Sequence, residues 1–425
     1  MRWMRSGVVA AVAVLLACAL PAAPALADDD LIPLDQGLCR TAQPTAAADL
    51  VNAWQLQRLN MDSVWELATG RGVRVAVIDT GVASDDSGYW SRTRITTYDL
   101  LSGEGTDDDG RYDCDHGTAV ASLLAAGRAE DGSAVNEATN FAGIAPDATV
   151  LAYRALRWST PQDDLPDDEQ DDLSATVRAV RQAIADGADV INLSQVVGAS
   201  APGLADYRAA IADAIEAGIV VVAAAGNADQ AAAIGGEAYP ASLPGVISVG
   251  ASDAADAGDQ LTYPSDTVAV GAPGRALLAL APSSGDDPSD QAFTGDATGT
   301  SFATALVSGV VALMIQYERD VHGATLTPAE VRARLIATAD PPASSMPDPL
   351  IGHGIVNPLR ALTGATPASL TPAEPGASAE AVITPEQRED RTLPMAALLV
   401  AGGALALVLL GVVAAVTIPR ATRHG

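Results

Sequence analysis

The stretch "VRVAVIDTGV", residues 73–82, decides the fold. From Val73 to Asp79 it is apolar apart from Arg74, shows no helical spacing, and ends in an acid before Gly81. A short run that is apolar on both faces reads as a strand covered on both sides, as strands of parallel sheets are. The chain after it alternates accordingly. Leu173, Val177, Val180 and Ile184 are spaced as one helix face, and Gly187 ends it. "DVINLS" (189–194) is the next strand, and Leu204, Tyr207, Ile211 and Ile215 mark a second helix closed by Gly218. "IVVVAAAGN" (219–227) and "GVISVGAS" (245–252) are two further strands. Strands separated by amphipathic helices predict an α/β domain of three layers with a mostly parallel sheet. Right-handed crossovers then line up the strand C-termini along one edge, where open α/β sheets carry their sites.

Composition limits the partners. The 425 residues carry 53 acidic and 24 basic side chains, a formal charge of −29, and every basic residue is Arg. So acidic a surface repels nucleic acid and anionic headgroups, and both are set aside as partners of the main domain. The acidic runs 28–30, 107–109 and 163–172 read as solvated loops, with calcium or a basic partner as the sharper alternative.

Both termini bear on compartment. Arg2 and Arg5 precede the apolar stretch 7–20, followed by "APALA" and an acidic run, which predicts a signal peptide over residues 1–27. Cys18 in "LLAC" gives a weaker lipoprotein-like alternative. Residues 393–418 carry no charge and are long enough to cross a bilayer as a helix. Arg420 and Arg423 follow, so the 419–425 tail is expected in the cytoplasm and the body outside the cell, a single-pass type I arrangement at the cell membrane. Residues 28–66 read as an extension packed on the catalytic domain, 67–363 as that domain, and 364–392 as a Pro/Ala-rich linker of about 50–90 Å. After signal cleavage two cysteines remain, Cys39 and Cys114. In an exported chain an even pair points to one disulfide, with two free thiols as the alternative.

Four polar residues sit at predicted element ends beside glycine: Asp79 in "VIDTGV", His116 in "DCDHGTAVAS", Asn227 in "AAAGN" and Ser301 in "GTSFATALVSG". The run 302–315 is nearly all apolar and reads as a helix buried on all sides, with Gly299 and Thr300 as the turn and Ser301 as first residue. Taken singly, these residues have ordinary explanations: a turn acid, a structural histidine, a turn amide, a helix cap. Together they form the set acyl transfer requires. A serine hydroxyl needs an imidazole to take its proton, and a carboxylate orients that imidazole. A side-chain amide and a backbone N–H at a helix start supply donors for the oxyanion.

"VAVIDTGV", "HGTAVAS", "AAAGN" and "GTSFA" resemble the signature stretches of the subtilisin-like serine peptidases, over about 290 residues. The resemblance implies Asp79 as the orienting acid, His116 as general base and then acid, Ser301 as nucleophile and Asn227 as oxyanion donor. It implies substrate-binding segments at Ser194–Gln195 and Ala225–Gly226. No cofactor is required by such chemistry, and the acidic runs leave a structural calcium open. Signal peptide, cysteine-bearing extension, closing "GHGIVNPLRAL", linker and C-terminal span together resemble the mycosins, membrane-anchored subtilases of type VII secretion systems. That implies exported protein substrates, membrane proteins of a secretion complex as partners, a structural role in that complex, and a Cys39–Cys114 disulfide fastening the extension. A scaffold with dispensable proteolysis and a general envelope-processing protease are the competing readings. Two departures stand out: Ala305 where most subtilases have Pro, and "SQVV" (194–197) where the substrate strand usually reads Ser-Leu-Gly-Gly. Side chains at 196 and 197 narrow the cleft, which predicts selective cleavage. Residues 28–66 are too few for a compact inhibitory pro-domain.

Overall fold

The computed structural model describes residues 31–35, 38–40, 52–84, 89–90, 94–101, 110–128, 139–157, 173–282, 292–344 and 346–364. The expected signal peptide, most of the linker, the 393–418 span, the tail and nearly all of the acidic loop 157–172 lie outside these residues.

Eight strands form one sheet: β1 (Ile32–Pro33), β2 (Arg74–Asp79), β3 (Ile95–Asp99), β4 (Thr149–Arg154), β5 (Val190–Leu193), β6 (Val220–Ala224), β7 (Ile247–Ser252) and β8 (Val268–Pro273). Their order is β1-β3-β4-β2-β5-β6-β7-β8; β1 pairs antiparallel with β3 and the other neighbours are parallel. A separate hairpin joins β9 (Leu277–Ala281) to β10 (Ala292–Ala297).

Successive strand residues point to opposite faces, and the core divides by that alternation. Val75, Val77, Val150, Val190, Val220 and Val222 belong to one cluster, shared with α3 (Asp115–Ala125) and α7 (Thr300–Tyr317). Ala76, Ile78, Leu151, Ile191, Leu193 and Val221 belong to the other, shared with α4 (Ser174–Ala185) and α5 (Leu204–Glu216). Helices therefore cover both faces, as the continuous apolar strands require. Shorter helices α1 (Trp54–Arg58), α2 (Met61–Trp65), α6 (Ala231–Ile234), α8 (Pro328–Thr338) and α9 (Pro358–Thr363) complete the described set.

Of the 18 residues of α7, only Phe302, Ile315 and Tyr317 are not buried. With the following turn it is long and apolar enough to cross a membrane, yet it lies inside the protein. It crosses close to the loop before β4, because a β-carbon on Gly309 would stand 2.6 Å from Ile144 Cβ. Its first residue is Thr300, with Gly299 (φ +148°) before it, so Ser301 is its second residue rather than its first.

The described part of the extension is bound into the body. Cys39 and Cys114 form a disulfide, and the backbones of Leu38 and Arg40 pair with Tyr112. Gln55, fully buried, donates through Nε2 to Leu278 O at 2.8 Å, and Trp65 Nε1 donates to Ile144 O at 2.9 Å. Arg58 bridges Asp256 and Asp340.

Candidate active site

Three neighbouring strands, β2, β5 and β6, end on the same edge of the sheet, and each delivers part of the site. Asp79 is the last residue of β2. Its Oδ1 accepts the Thr80 N–H at 2.7 Å, and its carbonyl accepts the N–H groups of Ala155 and Leu156 at 2.8 and 3.1 Å. His116 is the second residue of α3, and its Nδ1 lies 2.7 Å from Asp79 Oδ1. Both are buried, at 0% and 7% exposure, so the pair interacts away from bulk water. The Nδ1 contact makes this nitrogen the donor and leaves Nε2 for proton exchange. Asp79 Oδ2 is buried with no hydrogen-bond partner among the described residues, which keeps acceptor capacity beside the ring.

The residues around His116 explain its motif. Gly117 N–H donates to Thr80 Oγ1 at 3.1 Å, and Thr118 Oγ1 accepts the Ala83 N–H at 2.9 Å. A β-carbon on Gly117 would stand 2.1 Å from Gly81 O, so only glycine lets α3 sit this close to the turn after β2. On the strand beside β2, Arg154 is level with Asp79, and its Nη1 bonds Asp99 Oδ1 at 2.8 Å. Its guanidinium lies 3.9 Å from the centre of the Tyr112 ring. This buried cation is balanced within its own side of the site.

Ser301 is tied to the end of β5 by two reciprocal bonds. Its Oγ donates to Ser194 O at 3.2 Å, and Ser194 Oγ donates to Ser301 O at 2.9 Å. Ser194 Oγ also accepts from Asn192 Nδ2 at 3.0 Å, and Asn192 Oδ1 accepts from Ser308 Oγ at 2.9 Å. This buried chain runs from the middle of α7 through β5 back to the helix start. After β6 come Ala225 and Gly226, and then Asn227. Asn227 Oδ1 accepts both the N–H and the hydroxyl of Thr300, at 3.1 and 3.0 Å. Those two donors fix the amide oxygen and leave Nδ2 free of that contact. The Phe302 ring lies 5.3 Å from that of His116, which brings the first turn of α7 beside the imidazole.

The structure thus brings Asp79 into contact with His116, and Ser301 into contact with Ser194, with Asn227 against Thr300. The Gln195 side chain is engaged elsewhere: Nε2 donates to the buried hydroxyl of Tyr207 at 2.7 Å. The backbone N–H of Ala225 stays in the sheet, on Val249 O, and Gly226 O accepts the Tyr263 N–H. Thr80, Thr118, Thr300 and Ser308 lie inside the four motifs and Asn192 in the stretch 189–194, but the sequence does not show that they support the site. Among the described residues no group of three His, Cys, Asp or Glu is arranged to hold a metal ion.

A profile described as peptidase S8, subtilase family, matches residues 70–354. Mycosin-4 of Mycobacterium tuberculosis is 31% identical over 331 residues, which cover 72% of this chain and 68% of that protein. The crystal structure of MycP1 from Mycobacterium smegmatis has a TM-score of 0.60 at 27% identity, covering 80% of this chain and 92% of that one. A chain from the structure of an intact ESX-5 inner membrane complex has a TM-score of 0.59 at 27% identity, covering 91% and 100%. The chain belongs to the subtilase family and is a serine endopeptidase of the mycosin type.

Proposed function

We propose that the four residues work as the sequence resemblance implies, and the 2.7 Å contact between His116 Nδ1 and Asp79 Oδ1 is the observation that carries it. Ser301 Oγ exchanges the Ser194 carbonyl for His116 Nε2, gives up its proton there and attacks the scissile carbonyl carbon. The carbonyl oxygen becomes an oxyanion held by Asn227 Nδ2 and by the Ser301 N–H, which has no partner within the helix. Asp79 keeps the ring oriented and stabilises the imidazolium. His116 then returns the proton to the leaving amine, and water hydrolyses the acyl-enzyme by the same route in reverse.

Ser194–Gln195 and Ala225–Gly226 are the backbone walls against which the substrate lies. The proposed domain limits are those read from the sequence, with 28–66 as the extension and 393–418 as a single membrane span, N-terminus outside. Similarity to a chain of an ESX-5 inner membrane complex supports a place for this protein in a type VII secretion complex of the cell membrane, acting on exported proteins. Ser301→Ala tests both roles: cleavage of exported proteins should be lost, while membrane proteins of the secretion complex should still be recovered with the variant from detergent-solubilised envelope. Cleavage surviving in the variant refutes the catalytic assignment, and recovery of no membrane partner by either form refutes the complex.

A further inference from the structure

In the catalytic reading, on which the specificity inferred here rests, the carbonyl that meets Ser301 and Asn227 belongs to the substrate residue before the scissile bond. This residue must lie across the two segments holding those groups, one after β5 and one after β6. Ser194 is joined to Ser301 by two hydrogen bonds, and Asn227 to Thr300 by two more, so the segments stand side by side at the nucleophile. The side chain of that substrate residue has to enter the gap between them.

The gap is narrowed from within the protein by the partly buried Val196. Gly226 (φ +97°) forms the wall after β6, and a β-carbon built on it would be 3.3 Å from Val196 Cγ2 and 3.0 Å from Ile234 Cδ1. Val196 therefore reaches from the opposite wall to the Gly226 backbone at van der Waals distance. Ile234, 3% exposed, backs it. The plug cannot swing aside cheaply. Val197 pairs with Tyr239 through two backbone hydrogen bonds of 2.9 Å, and the carbonyls of Ile234 and Ala233 stand 2.5 and 2.6 Å from where a Gly198 β-carbon would be. Interiors packed this way do not open for an extra methylene without displacing neighbours.

We propose that Val196, supported by Ile234, sets the specificity of the enzyme by leaving room only for glycine or alanine before the scissile bond. The substrate class is then an extended polypeptide segment cut after a small residue. Each added methylene in such a pocket changes kcat/KM by about 10–200-fold.

The test uses the full chain in detergent and peptidyl diphenyl phosphonates that differ only in the side chain next to phosphorus: alanine, leucine or phenylalanine. These label a serine nucleophile directly, and a simple fluorophosphonate run on the same samples reports Ser301 itself. The expected result is labelling at least tenfold faster with the alanine probe than with the leucine or phenylalanine probe. Val196→Gly, and Val196→Ala should the first fail to fold by thermal unfolding, should raise the leucine-to-alanine ratio at least tenfold. Equal rates for alanine and leucine in the natural protein, or a ratio unmoved in a folded Val196 variant, overturn the inference. Loss of fluorophosphonate labelling in the natural protein would instead strike the catalytic reading beneath it.

Discussion

Gly117→Ala probes the contact that brings acid and imidazole together. The added β-carbon would lie 2.1 Å from Gly81 O, 3.0 Å from Gly81 C and 3.1 Å from Gly81 N. The nearest of these falls well short of an ordinary contact, and all three atoms are backbone. No side chain can turn away to relieve it. The first turn of α3 must back off from the turn after β2, stretching the Gly117–Thr80 and Ala83–Thr118 hydrogen bonds as it goes. Overpacking of this kind costs about 1–3 kcal/mol, and in a domain of a few hundred residues each kcal/mol lowers Tm by about 2–4 °C. The catalytic loss should be larger than that stability loss suggests. His116 rides on the displaced turn while Asp79 stays on β2, and misplacing a catalytic group by about 1 Å can cost about 10²-fold. Fluorophosphonate labelling of Ser301, measured well below Tm, should therefore slow by about 10²-fold. Gly218→Ala is the control: nothing lies within 4 Å of its β-carbon, but φ is +86°, so it costs about 1–2 kcal/mol of strain far from the site. It should lower Tm and leave labelling intact. If Gly117→Ala labels at the rate of the natural protein, α3 is not held by this contact and the account of the site is wrong.

Asn227→Ala should lower kcat by about 10²–10³-fold with little change in KM, the loss found when a subtilisin loses its oxyanion amide; steady-state kinetics on a peptide substrate decide it. Replacing Cys39 and Cys114 with Ser should reduce stability by up to about 4 kcal/mol, because the bridge closes a loop with a sequence separation of 75; urea unfolding with and without reductant measures it. Asp259, buried, is hydrogen-bonded by the Arg275 guanidinium, which holds its carboxyl below the usual carboxylate range. A depressed folded-state value gives stability that is present above the unfolded carboxylate range, near about pH 4, and lost as pH falls through the folded value. In Arg275→Ala that contribution should shrink, so the variant should be less stable near neutral pH and lose less stability as pH falls, which urea midpoints across about pH 3–6 would record.

The legible strands are continuous apolar runs: β5, β6 and β7 lie wholly inside, and β2 shows only Arg74 to solvent. β4 is hidden in the sequence because it ends in Arg154, a residue that reads as surface until Asp99 and Tyr112 are seen to receive it. β3, "ITTYD", is half polar, and β8, "VAVGAP", carries the Gly and Pro of a loop, so neither announces a strand locally. At the site, the four chemical groups are readable because each sits in a short motif at an element end. Their support is not. Ser308 and Asn192 are 116 residues apart in sequence, and only the crossing of α7 over β5 makes them partners. Gln195 shows another limit: its sequence neighbourhood does not reveal that its side chain bonds the buried Tyr207 hydroxyl, 12 residues on.

The same logic explains why α7 is a core helix despite a composition that would suit a membrane. A bilayer offers no partners to polar side chains, whereas each internal polar group of α7 has one aimed at it. Ser301 meets Ser194, Thr304 bonds Thr300 O, and Ser308 meets Asn192. At the far end Gln316 Oε1 collects the N–H groups of Thr69, Gly70 and Arg71 at 2.8, 2.7 and 3.1 Å. That last clamp fixes the chain just before β2, the strand that ends in Asp79. The helix carrying Ser301 is thereby pinned at its start to the ends of β5 and β6, and at its end to the entry of β2. Ser301 and Asp79, the proposed nucleophile and orienting acid, are thus referenced to one rigid frame although they stand far apart in the chain. Packing alone would leave such a uniformly apolar helix free to slide along the sheet; its few buried polar contacts set the register on which the chemistry depends.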